Sequence, residues 1–472
     1  MNILLTGATG YIGKRLLPLL IKEGHNVICC VRDKSRFNPP TSLQSKLTVL
    51  EIDLLDKSSL EKIPTDIDVA FYLVHSMSAS DNYSDLETQC ATNFQSRLSL
   101  TKVKQVIYLS GITNETVLSK HLTSRQTVEN QLQKGSYNLT TFRAGIIVGS
   151  GSASFEIIRD LVEKLPIMIT PKWLNTKCQP IGISDVLLIL TSAINHPKTF
   201  NQNFDIGCND ILTYKQMLLQ FAEVRNLKRR IFIVPVMTPK LSSYWLYFVT
   251  STSYNLARSL VESMKVEVIC RNHDIMNILK ITPISYKEAI KKAFTKIENN
   301  DIVSSWKDSY SSSDTSVNIT EFINVPSFGC FKDKRKKHIS DLEQTKSKIW
   351  RIGGKTGWYY GNALWRMRGL IDKVFGGVGL RRGRTNVDTI AVGDALDFWR
   401  VIYADKTEGR LLLFAEMKLP GEAWLEFKVE DQSLIQTATF RPLGLAGRLY
   451  WYAVLPFHGL IFNGLITALT KD

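Results

Sequence analysis

At 472 residues the chain is longer than a single hydrophobic core organises, so two domains and a further segment are expected. Hydrophobic residues make up 44% and charged residues 22%, ordinary globular proportions that exclude an intrinsically disordered chain. The net charge of +15 favours phosphate-bearing ligands, acidic partners or an anionic membrane surface. From Phe331 onward there are 23 Lys and Arg against 15 Asp and Glu, so the excess is spread over both halves and no nucleic-acid partner is expected. The seven cysteines, Cys29, Cys30, Cys90, Cys178, Cys208, Cys270 and Cys330, are scattered without a C-x-x-C pair, which reads as reduced thiols. Met1 leads straight into a strand-like run with no signal-peptide pattern. The expected location is therefore cytoplasmic, with association at the inner face of a membrane as the extension of that reading.

The N-terminal half alternates short apolar runs with helical patterns, the signature of βα units on a parallel sheet. Strands are expected at Asn2 to Thr6, Asn26 to Val31, Leu47 to Ile52, Val69 to Val74, Gln105 to Ser110 and Leu139 to Phe142. Helices are expected from about Tyr11 to Glu23, stopped by Gly24, and from Val117 to Gln133. Beyond Ala144 the pattern is mixed, with helices near Phe155 to Leu165, Val186 to Asn195 and Tyr214 to Val224, and an aromatic stretch, Tyr244 to Val249, that reads as a pocket wall or lid. The Ser-rich segment 299–330 reads as a linker, and the basic run Lys332 to Lys337 as its solvated face. After it come Gly-rich, antiparallel-type strands at Leu396 to Tyr403, Gly409 to Met417, Ala423 to Val429 and Leu434 to Arg441. The domain limits are thus 1–298, with a core in 1–150 and a substrate-side portion in 151–298, then a linker, then 331–472.

Thr6-Gly7-Ala8-Thr9-Gly10-Tyr11-Ile12-Gly13 lies between a strand and an amphipathic helix. Gly7 suits a tight turn, Gly10 a close backbone approach to a pyrophosphate, and Gly13 close packing of helix on strand, while the helix N-terminus offers amides to phosphate. This arrangement predicts a Rossmann-type dinucleotide site. Arg32 closes the second strand, where an acid would favour NAD and a cation accommodates the 2′-phosphate of NADP, so NADP(H) is preferred to NAD(H). Lys34 and Arg36 add charge nearby, and Asp33 offsets it. Asp53, after strand three, is placed either to accept from the adenine amino group or to cap its own loop. His75, His196, His273, His338 and His458 show no ligand spacing, so no metal is expected.

These residues resemble the short-chain dehydrogenase/reductase superfamily in its atypical, NmrA-like branch. The likeness covers about residues 1–297 and rests on TGATGYIG, Asp53-Leu54, Tyr72-Leu73-Val74-His75, Tyr108-Leu109-Ser110-Gly111 and Phe142-Arg143-Ala144-Gly145. It implies that Leu73, Val74 and His75 pack on the adenosine ribose, that Ser110 ends the strand of the active-site serine, and that Arg143 borders the nicotinamide. Family members place Tyr-x-x-x-Lys on the helix after strand five; here His121-Leu122-Thr123-Ser124-Arg125 keeps the spacing with both residues changed. His121 exchanges protons near neutral pH, whereas Arg125 holds hydroxyls but relays none. Three readings stay open: redox chemistry by His121 with Ser110, cofactor positioning only, and an incidental His121.

Within that branch, LVHSMS, GSGSASFEIIR, LPIMITPKW and YWYAVLPFHGLIF are similar to proteins that fuse this domain to a C-terminal domain of unknown function. That second domain resembles the START/polyketide-cyclase (helix-grip) folds, implying an antiparallel sheet, a long C-terminal helix and a cavity for an apolar small molecule. The fold class is therefore α/β, a doubly wound parallel sheet followed by an α+β helix-grip-like domain. The implied function is an NADPH-dependent oxidoreductase acting on a carbonyl or quinone-like substrate; the alternative is a non-catalytic redox sensor or assembly factor, like NmrA-like regulators and the complex I accessory subunit. Leu449 to Thr470 runs 22 residues without Asp, Glu, Lys or Arg, long enough to cross a bilayer. Pro456, His458, Gly459, Asn463 and Gly464 weaken a span, so a mostly buried core helix is preferred, with membrane contact through 449–470 as the alternative.

Overall fold

Alternation along β1 (Asn2–Thr6) fixes two layers at once: Ile3 and Leu5 join one buried cluster and Leu4 the other, as a strand covered on both faces requires. The computed structural model describes residues 1–34, 37, 41–74, 83–113, 120–234, 261–298, 325, 330–375, 377–380 and 389–471. The described residues fall into two compact units, one ending at residue 298 and the other starting at residue 325.

In the first unit β1 pairs in parallel with β2 (Asn26–Val31) and β4 (Val69–Tyr72). With β3 (Leu47–Glu51), β5 (Gln105–Gly111), β6 (Asn138–Ala144) and β11 (Gln202–Ile206) they form a seven-stranded parallel sheet in the order β11-β6-β5-β4-β1-β2-β3. The order reverses between β1 and β4, and doubly wound sheets bind ligands outside the carboxyl ends of their strands at such a point. One face is covered by α1 (Gly13–Lys22), whose Leu16, Leu17 and Leu20 are buried, while the short α2 (Lys57–Leu60) is capped by Asp56. α3 (Tyr83–Leu98) and α4 (Lys120–Leu132) cover the opposite face, with Phe94, Val128 and Leu132 packed among Tyr72 and Tyr108. β5 has a buried amide at its start: Gln105 donates to Thr140 Oγ1 at 2.9 Å and to the Ala193 carbonyl at 3.0 Å, so no donor is left unsatisfied there.

The portion from residue 145 to 298 has its own core. α5 (Ala153–Lys164), α7 (Tyr214–Val224) and α9 (Tyr286–Glu298) meet through Phe155, Phe221 and Phe294, whose ring centroids lie 5.4–5.5 Å apart. α6 (Ile183–Ser192) and α8 (Asp274–Leu279) instead pack with α1 into the Rossmann core. Three two-stranded ladders stitch the region together: β7 (Ile147–Val148) with β10 (Ile181–Gly182), β8 (Ile167–Pro171) with β13 (Arg230–Val234), and β9 (Lys177–Cys178) with β12 (Leu212–Thr213).

The second unit is a six-stranded antiparallel sheet, β14 (Phe331–His338), β15 (Ala395–Leu396), β16 (Trp399–Asp405), β17 (Arg410–Ala415), β18 (Gly421–Glu430) and β19 (Ser433–Pro442), in the order β14-β19-β18-β17-β16-β15. α10 (Leu342–Ile349), α11 (Asn362–Val374) and the 27-residue α12 (Gly444–Thr470) accompany it, with Pro456 inside the last. Its core centres on Trp358, Trp365, Phe398 and Trp399, closed by Phe462, Leu465, Ile466 and Leu469 of α12.

Three expectations need correction. Lys332 to Lys337 is not a linker face but the edge strand β14, paired residue for residue with β19. Its alternate residues Lys332, Lys334, Lys336 and His338 are exposed, a lysine-rich edge of the kind that blocks further strand addition, while Asp333 and Arg335 pair at 2.9 Å and Lys337 donates to Thr467 Oγ1. Leu396 to Tyr403 is two strands rather than one: Leu396 pairs with Trp399, and Asp397 turns the chain at φ +53°. Finally, α12 is only half buried. Its second half is gripped in the core as expected, but Leu445, Leu449, Tyr452, Leu455, Phe457 and Leu460 are each 43–73% exposed. Tyr244 to Val249 lies outside the described residues.

Candidate dinucleotide site

Thr6 anchors the site from below. Its hydroxyl donates to the Phe71 carbonyl at 2.9 Å and accepts from Leu73 N–H at 3.3 Å, tying the end of β1 to the end of β4. The chain then turns at Gly7, where φ is +69° and a Cβ would lie 2.6 Å from the Leu73 carbonyl oxygen. Only glycine fits that close, left-handed corner. Gly10 N–H returns to the Gly7 carbonyl at 2.9 Å, Lys14 N–H donates to the Gly10 carbonyl at 3.1 Å, and Arg15 and Leu16 N–H donate to the Ile12 carbonyl, so the amides ahead of this ladder at the entry of α1 are those of Ile12 and Gly13. Those amides and the helix dipole make the mouth attractive to a diphosphate. Thr9 is exposed at the loop tip, whereas Tyr11 and Ile12 are half-buried.

Tyr11 is pinned rather than loose. The Arg15 guanidinium stacks 4.0 Å above its ring and also donates to the Ser150 carbonyl at 2.8 Å. Burial pushes the Tyr11 hydroxyl up to about 12, with Arg15 working against it, so the phenol stays protonated at neutral pH. Arg15 was not singled out from the sequence; it lies one helical turn beyond Tyr11, a spacing that could have revealed it.

The adenosine side comprises Arg32, Asp53, Leu54, Leu73 and Val74. Arg32 is exposed after β2, next to a half-buried Asp33 and an exposed Lys34. Asp53 Oδ1 accepts from Leu55 N–H at 3.0 Å, the loop-capping role left open above. Both charges reach Cys90 on α3: burial first and then Asp53 raise its thiol to about 11, and Arg32 opposes them. Leu54 is buried, Leu73 and Val74 are half-buried at the switch point, and His75 and Arg36 lie outside the described residues.

On the opposite side, Ser110 at the end of β5 is 5% exposed, and its hydroxyl has no hydrogen-bond partner among the described residues. Arg125 from α4 reaches the neighbouring position, donating to the Leu109 carbonyl at 3.1 Å. His121 sits one turn earlier, in the first turn of α4; the placement of its side chain is outside the described set. Ser124 donates to the buried Glu87, linking α4 to α3. Arg143 is committed elsewhere. Its guanidinium forms a two-pronged pair with Glu129 at 2.9 and 3.0 Å, and both side chains are about nine-tenths buried. Burial raises the Glu129 carboxyl above its usual range, and Arg143 pulls against that shift. His121, Arg125 and Glu129 follow one another at steps of four on one helix face, a stripe readable in sequence that went unused beyond its first two members.

A separate apolar cavity of about 330 Å³ lies inside the second unit, lined by Trp365, Trp399, Trp424, Phe440, Trp451 and Phe462 among others. His458 faces it edge-on to Trp451 and Phe462, with centroids 4.9 and 4.8 Å away, and burial holds its imidazole below its ordinary pKa.

These geometries agree with what the chain matches. Residues 3–111 match the NAD-dependent epimerase/dehydratase family, and residues 330–465 match a protein family of unknown function, DUF2867. The first unit is therefore a short-chain dehydrogenase/reductase-type Rossmann domain with a nicotinamide-dinucleotide-binding fold, and the second is a separate antiparallel-sheet domain. Among curated proteins, the chain is 24% identical over 225 residues to the chloroplastic divinyl chlorophyllide a 8-vinyl-reductase of Arabidopsis thaliana, covering 44% of this chain and 53% of that protein. It is 22% identical over 250 residues to the photosystem II assembly factor Ycf39 of Trieres chinensis, covering 52% and 75% respectively. The chain thus spans about half the length of the first relative. A nucleoside-diphosphate-sugar epimerase from Staphylococcus aureus superposes with a TM-score of 0.50 at 15% identity over 62% of this chain and all of that one, a likeness of fold alone.

Proposed function

We propose that the first unit binds NADP(H) and acts as an NADPH-dependent oxidoreductase on a carbonyl or quinone-like apolar substrate. The observation that carries the cofactor choice is the exposed Arg32 directly after β2, at the sheet edge that also carries the glycine loop after β1. A cation at that strand end suits a 2′-phosphate. A charge-assisted hydrogen bond contributes about 1.5–3 kcal/mol, so Arg32→Asp is expected to weaken NADPH binding roughly ten- to hundredfold in calorimetric titration. NADH binding should change little. Equal losses for both coenzymes would remove Arg32 from the 2′-phosphate.

Bound NADPH would supply the hydride; His121 would give the proton to the acceptor oxygen, and Ser110 would donate a hydrogen bond to hold that oxygen. Arg125 keeps the carboxyl end of β5 in place for both. General acid catalysis contributes about 10²–10⁴-fold, so His121→Ala should slow NADPH oxidation at least a hundredfold with coenzyme affinity intact. The readout is loss of NADPH absorbance against a panel of ketones and quinones.

A second reading has its own support. Arg125 and Arg143 both spend their guanidinium groups on protein acceptors, Leu109 and Glu129, which fits a site that orders the coenzyme without turnover. On this reading the protein is a redox sensor or an assembly factor, the role named for the Trieres relative. Micromolar NADPH binding without oxidation of any acceptor would favour it. The domain limits proposed are 1–298, 299–330 and 331–472, and the cavity of the last takes an apolar small molecule.

A further inference from the structure

Around the mouth of that cavity two helices of the second unit expose large apolar side chains, the kind of surface that marks an interaction site. α11 presents Met367, Leu370, Ile371 and Val374, followed by Phe375, all 42–75% exposed. The first half of α12 adds Leu445, Leu449, Tyr452, Leu455, Phe457 and Leu460, all at least 43% exposed. Met367, Ile371 and Phe457 also line the cavity, so the opening lies within this apolar face and not on a polar side of the unit.

The exposed charges bordering the face are mostly cationic. Arg366, Lys418 and Arg448 are exposed, Arg441 is exposed beside one acid, and α12 carries no acid along its whole length. The acid on α11, Asp372, is 1% exposed and accepts from the amides of Gly379 and Lys418; Glu422 pairs with Arg441 at 3.5 Å. A second copy docked by the same patch would bring two mostly cationic rims together, which opposes a symmetric dimer. An apolar face with a cationic border is complementary to lipid headgroups of negative charge lying over hydrocarbon.

Spanning is excluded by packing. Phe462, Leu465, Ile466 and Leu469 are 0–5% exposed in the core of the unit, and Thr467 holds Lys337 of β14. Residues 444–460 precede that core, about 25 Å of helix at 1.5 Å per residue against a hydrocarbon thickness of roughly 30 Å, and even there Trp451 is 5% exposed and stacks on Phe331 and Phe440. Pulling the whole of α12 into a bilayer would open the core.

We infer that the second unit docks on an anionic membrane surface in the interfacial plane through α11 and the first half of α12, with its cavity opening towards the acyl chains. This deepens the apolar-ligand reading of the cavity and is independent of the nucleotide site.

The test is co-sedimentation of the full chain with vesicles of phosphatidylcholine alone and of phosphatidylcholine with 30% phosphatidylglycerol. Binding to the anionic vesicles is expected, falling several-fold between low and high salt, with extraction at alkaline pH as a peripheral protein. The variants Leu370→Glu/Phe375→Glu and Leu449→Glu/Leu455→Glu alter residues that do not line the cavity. Each should cut partitioning at least tenfold while leaving NADPH affinity and thermal unfolding of the chain unchanged, which separates loss of docking from loss of fold or of the nucleotide site. Absence of wild-type binding overturns the inference, as do unaltered binding by both variants, resistance to alkaline extraction, or a dimer that the variants dissociate. Retained docking without uptake of a fluorescent fatty acid would instead overturn only the cavity reading.

Discussion

Gly13→Val is expected to reduce NADPH affinity at least a hundredfold, the equivalent of about 2.7 kcal/mol. The cause is steric and lies wholly in backbone. A Cβ at position 13 would sit 2.3 Å from the Gly7 carbonyl oxygen and 2.8 Å from Ala8 Cα, neither of which can rotate away. Relief requires α1 to lift from the end of β1, and the first-turn amides lift with it, so the diphosphate loses aligned donors and dipole together. Gly10→Ala makes a graded partner, since its Cβ meets only the Gly7 carbonyl at 3.1 Å; a smaller loss is expected there from contact with the coenzyme itself. Calorimetry gives affinity and near-ultraviolet circular dichroism reports packing. A Gly13→Val protein that binds NADPH within threefold of wild type would show that the amides of this helix do not hold the phosphates.

The parts of this molecule legible in sequence are those determined by short-range rules. β1 and β2 begin and end where their apolar runs do, and α7 starts at Tyr214 because Thr213 and Gln216 form a capping box. The glycine loop was readable because its spacing encodes a backbone shape. β14 was not, because FKDKRKKH has no hydrophobic alternation; it is a strand because β19 offers an unpaired edge and α12 supplies Thr467 as a partner. The turn at Asp397 carries no glycine to announce it, and what holds it is Trp358 Nε1 donating to Asp397 Oδ2 at 2.6 Å from 39 residues away. Arg143 read as a coenzyme residue because its sequence neighbourhood resembles one, but its ion pair with Glu129 exists only once α4 lies against β6. Composition alone also favoured a mostly buried α12 over one in contact with a membrane. Which half is covered depends on where the sheet ends, and sequence periodicity does not contain that.

Glu416→Ala is expected to destabilise the second unit by about 3–5 kcal/mol, the usual consequence of stripping one partner from a buried ion pair. Arg400 is 2% exposed at the start of β16; its guanidinium meets Glu416 at 2.8 and 3.2 Å and the Gly393 carbonyl at 2.7 Å. Without Glu416 the positive charge stays buried beside the Gly393 carbonyl, a neutral acceptor that does not balance it. The pair need not be a net source of stability, however. Exchanging both partners for apolar residues of similar size removes two desolvation penalties along with one attraction, so Arg400→Met/Glu416→Leu should lie within about 1–2 kcal/mol of wild type. Arg400 follows Trp399, whose ring is 6.2 Å from that of Trp358, so tryptophan fluorescence in urea reports unfolding of this unit directly. The single variants Arg400→Met and Glu416→Leu and the double variant close a cycle in which the coupling must exceed the solvent-exposed range of about 0.2–1 kcal/mol. A coupling inside that range would mean that water reaches the pair, and the packing of Trp399 and Phe398 beside it would then have to be looser than their 4% and 0% exposures imply.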